Sequence, residues 1–174
     1  MKQILGTSYN IEDDIVGRIT FGKGNLFRRS NDILVCKDAT KPAFGYLATI
    51  TESTTFTSKE TPYCIVDSIE DFYEGDVVVI NKQGEIIFVY EINSNHNALM
   101  ATERCNHRCI MCPQPPILQE KDKTPFNQKL ISLFDKSTQE IGITGGEPTL
   151  IGDNLFTLIN HINTSVNFYR KIKS

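Results

Sequence analysis

The sequence predicts an α+β chain in which a small amino-terminal β domain precedes two successive βα units. Short β-branched runs separated by turn residues fill the first half, with almost no helical periodicity. Strand-like and helix-like patterns then alternate in the second half. Each apolar run of that half ends in a loop rich in cysteine or glycine. These observations divide the chain into a β-rich domain at 1–95 and a βα segment at 96–174.

Composition limits what the protein can bind. The 174 residues are 40% apolar, which is enough for a hydrophobic core. A net charge of −3 provides no broad basic field, so we expect no nucleic-acid partner, and the basic tail at 170–173 is typical of a solvated helix end. No apolar run reaches the roughly 18 residues of a membrane span, and no signal peptide is recognisable. Clustered cysteines without a secretory signal indicate a cytoplasmic protein without a membrane partner.

The amino-terminal domain is predicted to be a small β domain or an open sheet. Its predicted strands lie at 15–20, 32–36, 45–50, 63–66, 76–80 and 85–91. The last two form a hairpin, because Gly84 in the polar loop between them can take a positive φ. Cys36 and Cys64 lie in strand-like runs, where cysteine is usually a small buried hydrophobe. This domain is therefore expected to be structural or partner-binding.

The second half reads as strand, cysteine loop, helix, strand, glycine loop and helix. The strands are predicted at 97–102 and 139–144, and the helices begin near Thr124, as the N-cap before Pro125, and near Asp153. The predicted buried faces of the helices consist of Phe126, Leu130, Ile131, Leu133, Phe134, Leu155, Leu158, Ile159 and Ile162. Successive βα units imply parallel strands with right-handed crossovers, so both loops should open at the same edge of the sheet.

Three cysteines lie within eight residues of the first loop, at Cys105, Cys109 and Cys112. A structural zinc site would need a fourth ligand, for which His107 and His96 are the nearby candidates. A redox pair would use Cys109 and Cys112 and leave Cys105 unexplained. An iron–sulfur cluster suits soft thiolates, and three protein ligands would leave one iron open. The count of thiols therefore favours an open site over a closed structural one.

The second loop has the sequence Gly145-Gly146-Glu147-Pro148. Glycines without side chains let a ligand approach the backbone closely, and an ionised Glu147 can accept a charge-assisted hydrogen bond from an amine. Pro148 ends the strand. Alone, such a tetrapeptide is more often an ordinary strand-to-helix turn. Its place one βα unit after the cysteine loop favours a ligand site.

A CxxxCxxC loop after one strand, followed by GGEP after the next, resembles the radical S-adenosylmethionine (SAM) superfamily. The resemblance implies a 4Fe-4S cluster held by Cys105, Cys109 and Cys112, and SAM held by Gly145, Gly146 and Glu147. Met111 stands where the family usually has an aromatic residue near the adenine, and its thioether can fill that space. The implied chemistry is one-electron cleavage of SAM to a 5′-deoxyadenosyl radical, which abstracts hydrogen from the substrate. No residue can be named as a catalytic acid or base.

The longer string formed by residues 102–105 and 112–116, with the β-rich region before it, is similar to the maturases of the His-Xaa-Ser system. That similarity implies post-translational modification of a peptide, a second radical SAM maturase as partner, and a one-electron donor of flavodoxin or ferredoxin type. The family's core is a partial TIM-like barrel of about six βα units. Because only two are recognisable here, we expect an incomplete barrel and a truncated chain. A non-catalytic zinc-binding module and an inactive truncated remnant are the alternatives.

Overall fold

The structure, a computed structural model, describes residues 2–22, 26–38, 44–112, 117 and 119–166. The chain divides into two compact units, Met1–Asn93 and Ser94–Ser174. The proline-rich run at 113–116 and the basic tail at 170–173 lie outside the described residues.

The first unit is a closed barrel of seven strands in the order β1-β5-β4-β3-β2-β6-β7. The strands are β1 Gln3–Tyr9, β2 Ile15–Thr20, β3 Asp32–Cys36, β4 Ala48–Thr51, β5 Tyr63–Val66, β6 Val77–Ile80 and β7 Glu85–Tyr90, and a 3₁₀ helix spans Leu26–Asn31. Strands β2 to β5 pair in parallel order, and the other pairs are antiparallel. Fully buried aliphatic side chains from several strands, including Ile19, Ile33, Ile50, Ile80 and Ile86, form the core.

Strand β1 closes the barrel by pairing with β5 and β7. The sequence predicts no strand at 3–9, and the closed barrel shows that the predicted open sheet is wrong. The predicted hairpin of β6 and β7 forms, and Gly84 has a φ of +86°. The amide of Gly6 donates to the carbonyl of Gly84 at 2.9 Å, and a Cβ on Gly84 would lie 2.1 Å from the Gly6 carbonyl oxygen. The hairpin glycine therefore also lets β1 approach.

A buried carboxylate, Asp76, ties together the residues on either side of this hairpin. Its Oδ2 accepts a hydrogen bond from the amide of Tyr73 at 3.0 Å, and its Oδ1 accepts one from the amide of Ile92 at 2.9 Å. Burial raises the pKa of Asp76, and the two amide hydrogen bonds partly oppose that shift. Asp76 is fully buried, so its carboxylate depends on these two amides for its hydrogen bonds.

The second unit contains two parallel strands and two helices. Strand β8 (Asn97–Thr102) pairs with β9 (Ile141–Gly145), and helix α1 (Thr124–Leu133) connects them. A short 3₁₀ helix (Pro148–Ile151) and helix α2 (Asp153–Ser165) follow β9. Helix α1 packs against β8 and α2, and its buried Asn127 donates to the carbonyl of Met100 at 3.1 Å. Within the described part of the chain, no helix is long and apolar enough to cross a membrane.

The helices differ from the sequence expectation in two details. Lys123, not Thr124, occupies the N-cap position of α1, and the carboxylate of Asp122 accepts the hydrogen bond from the Thr124 amide at 2.9 Å. Phe126 and Ile159 were predicted to be buried but are 41% and 36% exposed. A two-stranded sheet covers a narrower stripe of each helix than a larger sheet would, so residues at the edges of the stripe remain in contact with solvent.

We expect Asp76→Ala to destabilise the protein by about 1–3 kcal/mol, because the amides of Tyr73 and Ile92 lose the buried carboxylate that accepts their hydrogen bonds. Urea unfolding monitored by circular dichroism measures the change. The matched control is Glu70→Ala, which removes an exposed acid from the same segment and should change stability by less than about 0.5 kcal/mol. Equal stabilities for the two variants would contradict the structural role of Asp76.

Candidate metal and cofactor site

The cysteine loop and the glycine loop begin side by side at the carboxyl ends of β8 and β9. The pairing of the strands continues past their ends through two hydrogen bonds. The amide of Gly146 donates to the carbonyl of Thr102 at 2.9 Å, and the amide of Glu147 donates to the carbonyl of Arg104 at 2.7 Å. The first residues of the two loops are thus held against each other by their backbones, as the βα order predicts.

The two glycines permit this close approach. A Cβ on Gly145 would lie 2.2 Å from the carbonyl oxygen of Thr102. A Cβ on Gly146 would lie 2.2 Å from the carbonyl oxygen of Arg104 and 2.9 Å from the Cβ of Cys105. These are backbone clashes that no rotamer change relieves. In the structure the glycines admit the backbone of the cysteine loop. Their predicted role in letting a ligand approach stays a prediction.

The three cysteines differ in their surroundings. Cys105 is half-buried, and its amide donates to the carbonyl of Ile117 at 3.1 Å. Cys109 and Cys112 are exposed, and the amide of Cys112 donates to the carbonyl of Cys109 at 3.1 Å to form a turn. Met111, in this turn, is 93% exposed. Among the residues that the structure describes, no three His, Cys, Asp or Glu side chains are grouped closely enough to hold a metal ion.

The donor set nevertheless fits an iron–sulfur cluster in kind. Three soft sulfur ligands lie in one loop, and two of them are accessible to an incoming metal. Cys105, the third donor, is half-buried and lies beside Gly146. The assignment of these three cysteines as ligands stays a prediction.

Glu147 is the side chain of the glycine loop with the most defined position. Its Oε1 accepts hydrogen bonds from the amide of Thr149 at 3.1 Å and from the Thr149 hydroxyl at 2.6 Å. These bonds lower the pKa of Glu147, and the nearby imidazole of His107 lowers it further. The carboxylate is therefore ionised at neutral pH. Glu147 is the N-cap of the 3₁₀ helix Pro148–Ile151. The sequence does not predict its bonds to Thr149, because Glu is not among the residues preferred at that position.

His107 connects the cysteine loop with Glu147. Its Nε2 lies 3.4 Å from Oε2 of Glu147, and its amide donates to the sulfur of Cys105 at 3.4 Å. The zinc hypothesis used this histidine as a fourth ligand, but its imidazole faces the glutamate in this structure. His96 precedes β8, so a strand roughly 20 Å long separates it from the cysteine loop, and it cannot join the same metal site without rearrangement.

Comparisons with known proteins give a partial likeness. No family model and no solved structure matches the chain. The chain is similar to a GTP 3′,8-cyclase of Desulforamulus reducens, with 30% identity over 82 residues. The match covers 44% of this chain, which spans about a quarter of the relative's length (25%). The likeness supports a relationship with radical SAM enzymes. It does not support the His-Xaa-Ser maturase subtype.

We expect Gly146→Ala to separate the two loops, because the added Cβ would clash with the carbonyl of Arg104. The expected cost is about 1–3 kcal/mol of stability, measured by thermal unfolding. The control is Gly142→Ala in strand β9, just before the glycine loop, where the nearest atom to a new Cβ lies 3.7 Å away and no clash arises. If both variants have the same melting temperature, the close approach of the loops is not a constraint on the fold.

Proposed function

We propose that this chain carries the cluster-binding and cofactor-binding loops of a radical SAM enzyme that modifies a peptide. The observation that supports the proposal most strongly is the backbone pairing of Gly146 and Glu147 with the start of the cysteine loop. It brings an ionised carboxylate next to a loop with three thiols. The partial likeness to a GTP 3′,8-cyclase supports the same enzyme class.

In this proposal Cys105, Cys109 and Cys112 hold a 4Fe-4S cluster, and the second loop holds SAM. The bound cluster supplies the electron for reductive cleavage of SAM. The amides of Gly146 and Glu147 already donate to backbone carbonyls and are not free to bind a cofactor. The loop can therefore offer hydrogen-bond acceptors to the cofactor, but not these two donors. Acceptors suit a cationic amino group. Thr149 orients the Glu147 carboxylate that would receive it.

The partial TIM-like barrel is part of the proposal. Gly142 and Thr144 of β9 are exposed, and Ile141 and Ile143 are only half-buried. Within the described residues, β9 pairs with β8 alone. A strand with one open edge and an exposed face is what the second strand of an incomplete barrel would present.

The substrate class rests on the string 102–105 with 112–116 and its similarity to the His-Xaa-Ser maturases. The peptide substrate, a second radical SAM maturase and a flavodoxin-type or ferredoxin-type electron donor are therefore proposals. The name of the relative makes cyclisation of GTP the second candidate activity. Isothermal titration of the anaerobically prepared protein with GTP separates the two candidates, since saturable binding would favour the nucleotide.

Anaerobic reconstitution with iron and sulfide should load the wild-type protein and give broad visible absorbance. Cys105→Ala, Cys109→Ala and Cys112→Ala should each lose most of the bound iron and sulfide, because each removes a thiolate ligand. Cys36→Ala, in the other unit, should load like the wild type. Zinc bound without iron or sulfide, or equal loading of all four variants, would contradict the cluster.

Glu147→Gln should keep its iron but bind SAM about tenfold or more weakly, because a neutral amide replaces a charged acceptor. Equilibrium dialysis of reconstituted protein against labelled SAM measures the affinity. Glu140→Gln, which neutralises an exposed acid just before β9, is the control and should bind like the wild type. Equal SAM affinities for the two variants would remove Glu147 from the cofactor site.

A further inference from the structure

Glu120 lies between the cysteine loop and helix α1 and is the most protected carboxylate near the site. Its side chain is only 11% exposed. The hydroxyl of Thr102 donates a hydrogen bond to Oε1, and the amide of Glu103 lies 3.0 Å from both carboxylate oxygens. Lys123 approaches Oε2 at 3.6 Å. An exposed acid would not need these partners, because water would solvate its carboxylate.

The groups that Glu120 binds belong to Thr102 and Glu103, at the start of the cysteine loop. The Thr102 hydroxyl, while donating to Glu120, also accepts a hydrogen bond from the amide of Arg104 at 3.1 Å. The carbonyls of Thr102 and Arg104 receive the amides of Gly146 and Glu147. The conformation of residues 102–104 therefore sets the position of the second loop as well as that of Cys105, the next residue.

The chain that follows the cysteines comes back to residues 104 and 105, where the loop begins. Arg104 and Ile117 form a parallel bridge, and the Cys105 amide donates to the Ile117 carbonyl at 3.1 Å. Glu120 follows three residues later in the chain and binds Thr102 and Glu103. The start and the end of the loop are thereby held together at its base.

We propose that Glu120 is a positioning residue that aligns the cysteine loop with the Gly145–Glu147 loop, so that both sets of ligands face one cluster and one cofactor. This inference rests on the proposed function. The hydrogen bonds and ion pair of Glu120 go to Thr102, Glu103 and Lys123, so it acts on the two loops through the backbone of residues 102–104. A carboxylate suits this role because it can accept from a hydroxyl and an amide at the same time.

Three variants of the full chain test the role of Glu120. E120A removes every hydrogen bond to Thr102 and Glu103, whereas E120Q keeps one acceptor oxygen and should rescue part of the effect. E103A is the matched control, because the Glu103 side chain also pairs with Lys123, at 3.0 Å, while the bond to Glu120 comes from the Glu103 backbone amide, which the substitution keeps. Two readouts apply: amide hydrogen exchange at 102–105 and 145–147 in metal-free protein, and the rate of iron loss to a chelator after reconstitution.

We expect E120A to exchange about tenfold faster at both segments and to lose iron about tenfold faster than the wild type. E120Q should fall between them, and E103A should match the wild type. If E120A does not fold, E120Q decides by the same two readouts. Wild-type rates in the glutamate variants, or acceleration spread evenly over all of β8 and α1, would overturn the positioning role.

These experiments distinguish failure of the proposed function from failure of the positioning role of Glu120. A wild-type chain that takes up no iron would refute the cluster, while the exchange rates in metal-free protein would still decide whether Glu120 aligns the two loops. A wild-type chain that takes up iron and an E120A variant with unchanged exchange and iron retention would refute only the role of Glu120.

Discussion

Two backbone hydrogen bonds, from Gly146 to Thr102 at 2.9 Å and from Glu147 to Arg104 at 2.7 Å, carry the pairing of β8 and β9 beyond the ends of the strands. They require that positions 145 and 146 have no side chain, since a Cβ at either would sit 2.2 Å from a carbonyl oxygen. The position of Glu147 beside His107 and that of Cys105 beside Gly146 both follow from this contact. The site thus depends on a backbone constraint before any ligand is considered.

Side chains around this contact are fixed by neighbours that have no direct part in ligand binding. Thr149 donates hydrogen bonds to one oxygen of Glu147, and Glu120 accepts hydrogen bonds from the Thr102 hydroxyl and the Glu103 amide. Hydrogen bonds lower the pKa of Glu147. Burial alone would raise the pKa of Glu120, but the bonds from Thr102 and Glu103, with Lys123 nearby, lower it overall. Both carboxylates are therefore charged at neutral pH, which suits binding of an amine by Glu147 and tight anchoring by Glu120.

Local patterns were sufficient to predict most of the strands, but not how the barrel closes. Two β-branched runs joined by a short polar loop predict the hairpin of β6 and β7, and its glycine has the expected positive φ. Strand β1 was missed, because its membership depends on pairing with β5 and β7, which are distant in sequence. For the same reason the Thr102–Glu120 and His107–Glu147 contacts have no local signal. The cysteine and glycine motifs were visible because each is continuous in the sequence.

The central claim is that three cysteines hold a cluster with one open iron and that the neighbouring loop brings SAM to it. Electron paramagnetic resonance of the reconstituted, dithionite-reduced protein, recorded with and without SAM, tests both parts at once. We expect the signal of a reduced 4Fe-4S cluster whose g values shift when SAM is added to the wild type. A silent sample containing zinc, or a cluster signal that SAM leaves unchanged, would contradict it.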